Sequence, residues 1–218
     1  MKKLLFILIL SFQSLPIFAQ FNQIDLVKIK GIANTDTYEI LHGRYLENDT
    51  TLTLDDYLII YYGQAFRDNY KPYKRHNLVL DLKKYMIDSD GNIDYQKVLS
   101  FTHKILPEFP FNIDEIYSTY LAYKKLGMLD SSKIWYYKYD KLINTIISSG
   151  DGMTYETAFI VTKITDEYSL IRALGLESNM QSLVSNENKY YDSISISENK
   201  YGIVTLLFDI NLFIGKFR

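Results

Sequence analysis

The sequence predicts an α+β protein: helical hairpins over the front two-thirds, then a small antiparallel sheet with one helix. Two observations carry this. Between Leu54 and Ile147 apolar residues recur at steps of three and four, the period of one buried helical face. Beyond Gly152 the period shortens toward two, as in a half-buried strand. The stretch SSGDG at 148–152 marks the corner between the two regimes.

Leu54, Tyr57, Leu58 and Tyr61 predict the first clear helix. Thr53 can cap it, with Asp56 in capping-box position. Ile113, Ile116, Tyr117, Tyr120 and Leu121 share one face of a second helix. Trp135, Tyr139, Leu142, Ile143, Ile146 and Ile147 share a face of a third, which Gly150 can end. At an offset of 34 residues, Val79 matches Ile113, Leu82 matches Ile116, Met86 matches Tyr120 and Ile87 matches Leu121. Phe101 then matches Trp135, Ile105 matches Tyr139, and Pro110 precedes the second unit, as in tetratricopeptide-type repeats. Val98 stands where such repeats usually have alanine, so an irregular bundle remains the other reading.

The C-terminal elements follow. TAFIVTKI, 157–164, is a β-type run. In TDEYSLIRALG, Thr165 can cap a helix, Leu170, Ile171 and Leu174 share its face, and Gly175 stops it. YYDSISIS, 190–197, alternates, and a turn at NKYG leads into IVTLLFDI, whose two apolar faces suit a central strand.

The first residues, MKKLLFILILSFQSLPIFAQ, read as an export signal: a basic start, an apolar run, and a cleavage point between Ala19 and Gln20. Domain bounds are therefore 1–19 for the signal, 20–149 for the helical region and 150–218 for the α+β region packed on it. With no cysteine at the cut there is no lipid anchor, so the expected location is periplasmic or extracellular. Removing two lysines with the signal takes the net charge from −2 to −4, which argues against nucleic acid as a partner. Export permits disulfides, yet the chain has no cysteine, so stability rests on burial by its 47% hydrophobic residues. No segment beyond the signal is apolar enough to be a transmembrane span.

Two blocks, DTTLTLDDYLIIYYGQAFRDNYKPY (Asp49 to Tyr73) and SGDGMTYETAFIVTKITDEY (Ser149 to Tyr168), resemble the paired signatures of a domain-of-unknown-function family, number 4919. The resemblance implies an exported protein of Bacteroides-type bacteria. It brings no activity, substrate or site residues with it.

Candidate chemistry is sparse. Gly150 and Gly152 can serve a helix stop, with Asp151 bonding its own turn. Alternatively Asp151, Thr154 and Glu156 form a polar cluster able to hold a cation or sugar hydroxyls. The pairs Asp55-Asp56, Asp114-Glu115 and Asp166-Glu167 follow capping Thr53, Asn112 and Thr165, where acids favour the helix dipole. DSDGNID, 88–94, lacks the glycine and final acid of a calcium loop, leaving Asp94 as a helix cap. The three histidines are scattered, so neither a metal nor a cofactor is expected. YKPYKRHN, 70–77, is the one basic cluster, a loop able to meet an anion or acidic partner. Twenty tyrosines suit a core with polar handles, or a glycan or protein surface. The expected role is a non-catalytic module binding a protein, peptide or glycan. The rival is a hydrolase or glycan-active enzyme centred on Asp151, Thr154, Glu156 and Glu167.

Overall fold

The computed structural model describes residues 24–86 and 92–216. The export signal with its cleavage point, Ile87 of the repeat, and positions 88–91 of the acidic loop lie outside the described residues. Two helices precede the first one expected: α1 (Leu26–Ile32) and α2 (Asp36–Leu46). Asp25 opens α1 by accepting from the Lys28 amide, while α2 buries Tyr38, Leu41 and Tyr45 at helical spacing. In α3 (Leu54–Gly63) the Thr53–Asp56 capping box forms as the sequence expects. A short 3-10 helix, Gln64–Phe66, continues it.

The next four helices, α4 (Val79–Met86), α5 (Tyr95–Ile105), α6 (Ile113–Lys125) and α7 (Leu129–Ile147), pack each on the next. Asp94 caps α5 through the Lys97 amide. Asn112 does not cap α6, because its amide oxygen is taken by Lys163. Repeat-equivalent positions agree in place but not in surroundings. Leu82 and Ile116 are each the fourth residue of their helix and buried, yet Leu82 joins a small core with Val98, Leu99, Ile105 and Ala122, whereas Ile116 joins the main one.

The sheet has the order β1-β4-β3-β2, from β1 (Phe159–Ile160), β2 (Ser178–Asn186), β3 (Lys189–Ile196) and β4 (Thr205–Asp209). It is mixed rather than antiparallel throughout, because β1 runs parallel to β4, with Phe159 opposite Phe208. Parallel neighbours need a long crossover, and here α8 (Ile164–Ala173) plus the β2–β3 hairpin supply it. As its two apolar faces predict, β4 is central. The expected run at 157–164 gives only a two-residue strand. Strand β2 had no apolar alternation to announce it. It is an exposed edge held by pairing to β3 through a turn at Glu187 and Asn188, both at positive φ.

Both regions share the main core. Tyr38, Tyr45, Tyr57, Tyr61 and Tyr62 from α2 and α3 pack with Leu142 and Ile146 of α7, Leu170 of α8, and Ile194 and Phe208 of the sheet. The buried hydroxyls find acceptors: Tyr38 donates to the Ile60 carbonyl (3.3 Å), Tyr45 to Pro110 (2.6 Å), Tyr62 to Ile160 (3.1 Å). Each ring contributes roughly 1.5–3 kcal/mol of burial, and the phenols of Tyr38, Tyr45, Tyr61 and Tyr62 tie one element to another. Much of the tyrosine content is explained this way. No helix among the described residues is long and apolar enough to cross a membrane.

Candidate functional site

The Gly150-Asp151-Gly152 corner is tightly stitched. Helix α7 ends at Ser148 in ordinary right-handed geometry, so Gly150 is not required for a positive φ. It is required for space: a β-carbon there would sit 2.0 Å from the Thr157 carbonyl oxygen. That carbonyl accepts from the amides of both Asp151 (3.0 Å) and Gly152 (2.8 Å). Gly152 carries the positive φ, at 73°, and meets the Phe159 ring. Asp151 Oδ1 accepts from the Met153 amide (2.9 Å) and from the Thr157 hydroxyl (2.6 Å). Thr154 bonds Thr157 as well, at 3.1 Å between hydroxyls. Glu156 is exposed, its carboxyl held below the usual range by a hydrogen bond from Thr154. The corner thus gathers Asp151 and Thr154 around Thr157.

Glu167 belongs to a different assembly. Helix α8 starts at Ile164, leaving Thr165 inside its first turn rather than capping it. Asp166 and Glu167 fall one turn before Leu170 and Ile171, on the buried stripe, and neither is exposed at all. The pair lies in the first turn, as expected near the helix dipole, and both acids are interior. Asp166 Oδ2 accepts from Tyr61 (2.8 Å) and Thr162 (3.1 Å), with the Lys163 ammonium 3.9 Å from Oδ1. Burial outweighs these and raises the carboxyl to about 6. Glu167 is raised further, to about 10, by burial and then by the charge of Asp192 and a hydrogen bond shared with it. The Gln181 amide closes the pair, donating to Asp192 Oδ2 (2.6 Å) and toward Glu167 Oε2 (3.4 Å), and accepts from Tyr168 (2.6 Å). A protonated Glu167 keeps this interior from carrying two adjacent charges.

The basic loop at 70–77 forms one wall of a cleft of about 470 Å³. Tyr38 and His42 of α2, Arg67 after the 3-10 helix, the 107–112 turn and Lys163 form the rest. Four cations line it, Arg67, Lys71, Lys74 and Lys163, against the single carboxylate Glu108. Glu108 is engaged by Lys74 (2.5 Å) and faces His76 (3.7 Å). Arg67 donates to the Ala33 carbonyl (2.7 Å) and to Glu39 (2.5 Å), lying over the Tyr38 ring. Lys163 donates to the Phe111 carbonyl (3.0 Å) and to Asn112. Tyr70 donates to the Thr162 carbonyl, tying the loop to the residues before α8. Lys71 is exposed and has no ion pair among the described residues.

A family model described as a domain of unknown function, DUF4919, matches residues 26–216. The chain belongs to this family. No curated protein and no solved structure matches it. The matched span takes in the eight α-helices and the sheet of the described residues, and so both the cleft and the acids beneath α8.

Among the described residues no group of three or more His, Cys, Asp or Glu is placed to hold a metal ion. Tyr117, Tyr120, Tyr136 and Tyr139 gather on the outer faces of α6 and α7, with ring centroids 4.8 to 6.5 Å apart. Two polar residues missed in the sequence had a legible signal. Asp192 stands in register with Ile194 and Ile196 on the buried face of β3, where an acid is out of place. Lys138 lies four residues before Leu142 on α7 and is buried with it.

Proposed function

We propose that the protein is an exported, non-catalytic binding module, and that the cationic cleft is where it holds an acidic segment of a protein or peptide partner. The observation that carries the reading is the cleft's makeup. Its cations and amides can grip carboxylates, its lone carboxylate is spent on Lys74, and no serine, threonine or aspartate lines it. Its aromatic faces support a peptide over a glycan. Tyr38 is covered by Arg67 and His42, and Phe109 by Lys74, which leaves little open ring for a sugar face. The commitments of Asp151 to its own turn, and of Glu167 to Asp192, weigh against an enzyme built on them.

Anisotropy of fluorescein-labelled hexaglutamate tests this. Saturable binding is expected, weakened about tenfold by Lys71→Glu and far less by Arg75→Glu, which makes the same charge change outside the cleft. Equal losses, or binding untouched by Lys71→Glu, would refute the cleft as the site. N-terminal sequencing of protein from its native host tests export, with Gln20 expected as the first residue.

A further inference from the structure

A second cavity lies across the 107–110 turn from the cleft. It measures about 300 Å³ and is walled by Leu46, Leu106, Pro107, Pro110 and Trp135, with Asn48, His103 and Lys138 as its polar members. Lys138 is only 6% exposed. Its ammonium lies 4.2 Å from the Tyr45 ring centroid and 5.1 Å from that of Trp135. Among the described residues it has no ion-pair partner, and the side chain lines the cavity.

That situation is unusual in energetic terms. An ammonium carries three donors, and leaving them unmet inside a protein costs free energy that well-placed rings only partly offset. By contrast, Asp166 accepts from Tyr61 and Thr162, and burial favours the protonated form of Glu167. Burial alone lowers the Lys138 ammonium, to about 8, so it is still predominantly charged at neutral pH. Asn48 adds a second uncommitted group on the same wall: its amide oxygen is buried without a donor, and its backbone sits at a positive φ of 63°. His103, stacked near Trp135 and Tyr123, is lowered by burial and adds no competing negative charge.

We infer that this cavity is a binding site for a small monocarboxylate with an apolar body. The carboxylate would accept from the Lys138 ammonium while a single ring or short chain lies against Trp135, Leu46 and Leu106. The volume is at the low end for small-molecule sites, which limits the body to about that size. Apolar walls with one charged group are the usual composition of such a pocket, the walls giving affinity and the charge fixing orientation. This inference does not depend on the cleft's function, since none of the groups that grip the ligand lines the cleft.

Trp135 is the only tryptophan in the chain, so its fluorescence reports on this cavity alone. The full mature protein is titrated with phenylacetate and, separately, with its neutral isostere phenylacetamide. Phenylacetate is expected to change the emission saturably, with phenylacetamide at least about tenfold weaker. Lys138→Met keeps the length and apolar stem of the side chain, and is expected to bring the two ligands to equal, weak affinity. Equal binding of acid and amide to the native protein overturns the inference without recourse to any variant. So does native-like phenylacetate binding by Lys138→Met, or an emission unmoved by either ligand at tens of millimolar.

Discussion

Two regions of this molecule bury charge, and they treat it in opposite ways. Beneath α8 the carboxyls of Asp166, Glu167 and Asp192 are enclosed with donors beside them: phenol and hydroxyl for one oxygen of Asp166, and the Gln181 amide for the others. On α7 the Lys138 ammonium lines a cavity without an ion-pair partner, between the faces of Tyr45 and Trp135. The polar groups of the α8 layer and the adjoining corner therefore hold the fold together. Lys138 in its cavity and Lys71 in the cationic cleft are instead held ready by the fold. Commitment of a polar group, more than its burial, separates structure from candidate function here.

The committed side should be the fragile one. Gly150→Ala drives a methyl to 2.0 Å from the Thr157 carbonyl, which itself anchors two amides, so a loss of about 3 kcal/mol or outright failure to fold is expected in urea melts. Asp166→Ala leaves the Tyr61 and Thr162 hydroxyls without their acceptor in the core. A loss of about 2–3 kcal/mol is expected, most of it recovered by Asp166→Asn, which keeps an acceptor oxygen.

Glu167→Gln should act through pH. The folded-state pKa of about 10 stands above the ordinary 4.5, so between these values the folded protein holds a proton that the unfolded chain releases. Stability from this group is complete below about pH 4.5 and drains away as pH rises toward 10, by up to about 1.4 kcal/mol per pH unit. Glutamine imitates the protonated acid and cannot ionise. The variant's advantage in Tm should therefore be near zero at pH 4.5 and widest at pH 9. A constant offset across that range would mean that Glu167 does not hold the proton.

The uncommitted side should tolerate change. Lys138→Met is expected to raise stability by about 1 kcal/mol, since it removes a desolvated charge without removing a partner. A large loss would show that the rings satisfy the ammonium fully, and the two regions would then differ less than their geometry suggests. The smallest effect should come from Asp151→Asn, below about 1 kcal/mol, because the amide oxygen can still accept from Met153 and Thr157. Calorimetry of both variants checks these values.

Local rules were readable in the chain. The Thr53–Asp56 capping box, the Asp94 cap, the face of α7, the Gly175 stop and the central place of β4 all depend on residues within a turn or a strand of each other. So does the α+β class, since a helical period and a strand period can be told apart by eye. Helix α6, by contrast, buries Glu115, Ser118, Thr119 and Ala122 beside Ile113 and Ile116 and turns the expected Tyr117 outward. Elements without a strong period escaped. The polar strand β2 exists because β3 offers it a hydrogen-bonding edge, and α1 and α2 are short and interrupted by polar residues. The parallel pairing of β1 with β4 is a fact about two segments some 50 residues apart, and no local pattern carries it. The same limit governs the sites. Sequence alone determined that the basic loop at 70–77 existed, that cysteine chemistry was excluded, and that Asp151 sat in a turn. Only the tertiary structure decided that Glu167 faces Asp192, that the loop walls a cleft with Lys163, and that Lys138 lines a cavity beside Trp135 without an anion. A side chain's type is local, but its partners and its solvent arrive from distant parts of the chain, and these set its charge and availability.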